Sequence, residues 1–222
     1  GPVRTMVMGK SDPQKEMQAQ RVKNFMNYQI MDQMTEYESD FDQMLFYLPL
    51  SGSTFKKVYY DDLLERAVSK FVPADDLVVP YTATSLDDAE AVIHVVKMSE
   101  NELRKQMVSG FYSDIELTKP TDTITNELQE KERELEGVTK SQRVDAMYTI
   151  LECHVNLDLE GFEDLGPDGE PTGIKLPYVV TIEEGSRRVL SIRRNFAPND
   201  PKKNKIQYFV HFKFLPGLGF YG

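Results

Sequence analysis

The chain carries one cysteine, Cys153, and no C-x-x-C or Cys/His cluster at metal-ligating spacing. That excludes a disulfide framework and a structural zinc site, and a reducing, intracellular environment fits best. No apolar run reaches the ~18 residues of a membrane helix, and no charged-then-apolar signal segment opens the chain, so neither a span nor export is expected. There is no G-x-S-x-G elbow and no internal repeat. The glycine-rich string PGLGFYG (216–222) lacks the lysine of a phosphate loop. Basic charge is also scarce: 26 Lys and Arg stand against 36 Asp and Glu, a net charge of −10, which argues against a dedicated duplex-binding protein.

What is present suits a globular chain. At 40% hydrophobic, 222 residues suffice for a real core. Gly1 and Pro2 read as a tag scar, leaving 3–222 as one region. The charge is uneven. Between Gly185 and Lys213 eight basic residues face Asp200 alone, so that stretch carries +7 and the remainder −17. This split predicts one positive face on an acidic body.

A long helix organises the first part. Asp12 followed by Pro13 is a start signal, because the carboxylate accepts from free amides and proline needs none. Val22, Met26, Ile30, Met34, Tyr37, Phe41, Leu45 and Leu48 then recur at helical spacing, a stripe ~140° wide that wants a sheet to lie on. Pro49 and Gly52 are expected to end it. Val3–Met8 reads as a short strand before it. TFKKVYY (54–60) and RAVSKFV (66–72) read as a hairpin, LVVP (77–80) as an edge piece, and AVIHVVKM (91–98) as a buried strand. Ser99 with Glu102 has capping-box spacing and opens a helix that Gly110 stops. Residues 3–120 thus hold the long helix, the hairpin and a short helix; 121–140 hold a polar helix centred on 122–136. From 141 to 222 the period changes to that of strands, with MYTILECHVNLDL (147–159), LPYVVTIEE, RRVLSIRRN and KIQYFVHFKF (205–214) forming an expected four-stranded antiparallel meander. The fold class is therefore α+β, a long amphipathic helix packed with antiparallel hairpins and a C-terminal meander.

Candidate chemistry is thin. Glu152, His154 and Asp158 share the predicted wetter face of one strand, and with His211 they offer the donors of a divalent-metal hydrolase site, yet a solvated sheet face holds such residues by default. Cys153 falls on the predicted packed face, where a thiol is inert. Asp61-Asp62 and Asp75-Asp76 read as turn-capping acids. No enzyme activity and no cofactor are expected. The basic stretch, Arg187, Arg188, Arg193, Arg194, Lys202, Lys203 and Lys205, offers either a nucleic-acid contact or a contact with an acidic neighbour. The second account suits a head-to-tail ring, in which two different faces of one subunit are complementary.

Four strings, MNYQIMDQMTEYESDFDQMLFYLPLSGSTFKKVYYD (26–61), VPADDLVVPYTATSLDDAEAVIHVVKMSENELRK (72–105), LPYVVTIEEGSRRVLSIRRN (176–195) and YFVHFKFLPGLGFYG (208–222), together resemble the portal, or head-to-tail connector, proteins of short-tailed double-stranded DNA bacteriophages. The resemblance covers most of the chain, in the expected order, and rests on no catalytic motif. It implies a non-enzymatic virion subunit, assembled in the bacterial cytoplasm as a ring of usually about twelve copies at one capsid vertex. Terminase docks on such a ring, double-stranded DNA passes through its channel, and tail components attach to it. By the same resemblance the chain is a wing-region fragment, with stem, clip and crown lying elsewhere; the charge asymmetry makes the seven basic residues the subunit-interface candidates.

Overall fold

The computed structural model has the α+β build that the patterning predicts, and describes residues 1–117, 147–215, 217 and 220. The polar helix expected at 122–136 lies outside the described residues. The chain divides into two compact units, one of Gly1–Asp75, Thr84–Asp87 and Gln207–Gly222, the other of Asp76–Ala83 and Asp88–Ile206.

In the first unit α1 runs Pro13–Tyr28, with Asp12 accepting from the Lys15 amide at 2.8 Å and proline in the first turn. The helix does not run unbroken to Leu48 as its periodicity suggests. Gln29–Gln33 wind as a π turn closed by the Met34 amide on the Gln29 carbonyl at 2.9 Å, Met34 leaves helical geometry, and α2 resumes over Tyr37–Ser51. The extra residue in the π turn rotates the following face. Met44 becomes the fully buried position of α2, with Tyr37, Phe41 and Leu48 half-buried beside it, while Leu45 points outward. Pro49 rides in the last turn, and Gly52, at φ 75°, makes the stop. No strand forms at Val3–Met8. That segment lies along α1 instead, where the Asn27 side chain bonds both the N–H and the C=O of Val3, supplying from a helix the pairing a strand would have had to find.

Below α2 lies a three-stranded sheet of order β2-β1-β8, built from β1 (Ser53–Asp61), β2 (Arg66–Pro73) and β8 (Phe209–Lys213), all antiparallel. The predicted hairpin is present, and Asp61 caps its loop by accepting from the amides of Leu63 and Leu64. The last strand, however, leaves the expected meander. It pairs along β1 from Ser53↔Lys213 to Lys57↔Phe209, which sets the His211 ring against Phe55 with centroids 4.4 Å apart.

The second unit holds a five-stranded antiparallel sheet of order β3-β4-β5-β6-β7: β3 (Leu77–Val78), β4 (Ala91–Met98), β5 (Tyr148–Leu157), β6 (Leu176–Glu183) and β7 (Arg188–Arg194). Helix α3 (Glu100–Val108) starts on the complete Ser99/Glu102 capping box. It covers one sheet face, packing Leu103 and Met107 with Tyr112, Tyr148, Ile150 and Leu190. Tyr148 and Ile150, on the face expected to be wetter, are therefore core. The opposite face gathers Cys153, Leu176, Tyr178 and Val180, with Ile182 and Phe196 at their margin.

Candidate interaction surface

The basic stretch is built on the β6–β7 hairpin and the loop after it. Arg187 takes the left-handed conformation the turn requires, at φ 57°. A bulge follows: register shifts at Thr181/Ile182, so Leu190 is the extra residue of β7 and drops into the core beneath α3. The bulge also puts Val189 and Ile192 opposite Ile182 and Val180, on the same face as Arg194. Without the bulge, strict alternation would set Val189 and Ile192 on opposite faces. Both are exposed, at 45% and 52%.

The seven candidate residues divide by what they touch. Arg193 lies over the Phe111 ring at 3.9 Å and donates to the Phe111 carbonyl at 2.9 Å. Lys203 is paired with Asp164, and with Thr172 it holds the Asp164 carboxyl below the usual carboxylate range. Lys205 Nζ reaches the Ala89 carbonyl at 3.5 Å. These three serve the fold of their own unit. Arg187, Arg188, Arg194 and Lys202 stand exposed, Arg194 with the Phe162 ring 5.7 Å away.

The metal-ligating set is not assembled. Glu152 and His154 meet, Oε1 to Nε2, at 2.7 Å, and His154 is buried. His211 belongs to the other sheet, where its Nε2 pairs with Ser53 Oγ at 2.6 Å. No group of three metal-binding side chains exists among the described residues. Cys153 is buried, and burial, with Glu152 beside it, pushes its thiol up.

The acidic counterpart lies on the first unit. From Asn24 to Phe55 there is no lysine or arginine, while Asp32, Glu36, Glu38, Asp40 and Asp42 all fall within it. Two of these acids work inside the unit. Glu36 accepts from Arg66 and from the Ser69 amide at 3.1 Å, and Asp40 accepts from the Phe71 amide at 2.8 Å. Burial pushes Glu36 up, but its hydrogen bonds outweigh burial and hold it low. On this edge strand the amides of Ser69 and Phe71 turn away from β1 to those two carboxylates, and Pro73, next in the series, has no amide to offer. The helix thus closes this sheet edge with side chains. Sequence reasoning missed both contacts, and it missed Lys56, 4% exposed, whose Nζ sits 4.5 Å from the Tyr37 ring centroid. Burial draws the Lys56 ammonium down, against Asp40 and Glu36, which favour its charge. Asp32, Glu38 and Asp42 remain exposed.

Compared with known proteins, the chain matches no protein-family model and no curated protein.

Proposed function

We propose that the chain is a structural subunit acting through its surfaces, the wing-like part of a portal ring of a short-tailed bacteriophage. The ring would sit at the capsid vertex, pass DNA, and receive terminase and tail proteins. Two lines support this reading: the four ordered strings that resemble the portal family, and the α+β build in which they fall. The observation that carries it is the segregation of charge onto exposed faces, basic on the β6–β7 hairpin and acidic on α2, as a head-to-tail assembly needs. The test is the solution mass of the full-length protein by light scattering at physiological salt. A closed ring of about twelve copies is expected; a monomer at micromolar concentration overturns the reading.

A further inference from the structure

Resting on that reading, we infer which two faces meet: the outer ridge of α2 on one copy seats against the β7 face of the β6–β7 hairpin on the next. On α2, Glu38, Asp42, Phe46 and Leu50 recur every four residues and form one ridge along the helix. All four are exposed, Phe46 at 67% and Leu50 at 70%, while Met44 and its half-buried neighbours Tyr37, Phe41 and Leu48 mark the seated face. Two exposed carboxylates followed by two exposed apolar side chains make a surface that a neutral or acidic partner would meet poorly.

The β7 face answers in both respects. The bulge brings Val189 and Ile192 onto one side with Arg194, and Arg187 stands exposed in the preceding turn. Apolar groups therefore lie between cations, where on α2 they follow anions. The dimensions agree, since Glu38 to Leu50 spans about 18 Å of helix and Arg187 to Arg194 about 20 Å of strand. No lysine or arginine of residues 24–55 competes for the acidic ridge. The occupant is a second copy of this chain because both halves are present on it, and their difference makes the contact heterologous, the kind that closes rings.

The test is a charge swap with an internal control, made in the full-length protein. One variant carries Glu38→Lys and Asp42→Lys, so both faces are basic; the other carries Arg187→Glu and Arg194→Glu, so both are acidic. All four positions are exposed, and circular dichroism checks that each variant folds. Each variant alone should need about tenfold more protein for half-maximal assembly. An equimolar mixture should recover wild-type assembly, because every junction then joins opposite charges. Variants that assemble as wild type overturn this contact and leave the ring reading standing. So does salt-sensitive binding of duplex DNA to wild type that the arginine reversals abolish while assembly is unchanged. A mixture that stays as weak as its parts also overturns it. A wild-type control that never assembles overturns the ring reading itself.

Discussion

Two basic side chains lie on opposite faces of the three-stranded sheet, Lys56 on β1 and His211 on β8, and each is held by aromatic rings. Lys56 lies under α2 against Tyr37 and Phe41, with Glu36 and Asp40 nearby, and its Nζ makes no hydrogen bond among the described residues. His211, on the other face, packs in a three-ring cluster with Phe55 and Phe220, at 4.4 and 4.8 Å between centroids, the two phenylalanines themselves 6.1 Å apart. Burial, with Lys213 assisting, pulls its pKa down to about 4. Since the folded value is depressed, the unfolded chain binds the proton first. Stability should be full above the unfolded histidine value of ~6.5 and should fall as pH drops from there towards about 4. For a half-buried ring the loss is on the order of 2 kcal/mol after solvent screening. Urea denaturation between pH 7.5 and 4 measures it, and His211→Gln should remove most of that slope; an unchanged slope would assign it to other groups. Nothing in the sequence distinguished this role from the metal-ligand role weighed for His211, because strand alternation assigns a residue to a face and not to a neighbour.

Among elements, those with local signals were legible and those set by tertiary fit were not. The Ser99/Glu102 box, the Asp12-Pro13 start, the Gly52 stop and the β1–β2 hairpin all rest on contacts within a few residues, and all are present. The capping box closes with bonds of 2.9 and 3.3 Å to backbone amides. Ser99→Ala should therefore cost about 1 kcal/mol of second-unit stability, read as a shift in denaturation midpoint. A loss under a few tenths would mean the helix is held by Leu103 and Met107 alone. The π turn escaped prediction because Gln29–Gln33 carries no breaker; just beyond the break Glu36 accepts from the Ser69 amide of a strand more than thirty residues on, a tertiary contact that local patterning does not report. The departure of β8 escaped for the same reason. Its alternation fits any antiparallel edge, and β1 supplies the one with Phe55 in register to stack on His211. Of the seven basic residues, sequence could name the stretch but could not separate Arg193, Lys203 and Lys205, which contact groups of their own unit, from the four that are exposed.

For the whole molecule the governing quantity is the charge split, +7 over Gly185–Lys213 against −17 elsewhere. Contacts between such faces are screened by salt over a Debye length of about 10 Å at 0.1 M. If the proposed ring forms, its assembly should accordingly weaken about tenfold between 0.05 and 0.5 M salt, measured as the concentration for half-maximal ring formation. Strengthening with salt would indicate that apolar burial alone drives it. The α+β class was readable from period changes, since patterning reports which surfaces must be hidden; which residues share an exposed face depended on the bulge and the π turn. The closed margin of β2 has its own implication. Its acceptors are Glu36, at the N-cap of α2, and Asp40 in the first turn, so that margin stays shut only while the helix start is seated. Heat or acid that lifts the helix should uncover the Ser69 and Phe71 amides, an open strand margin of the kind on which cross-β fibrils grow.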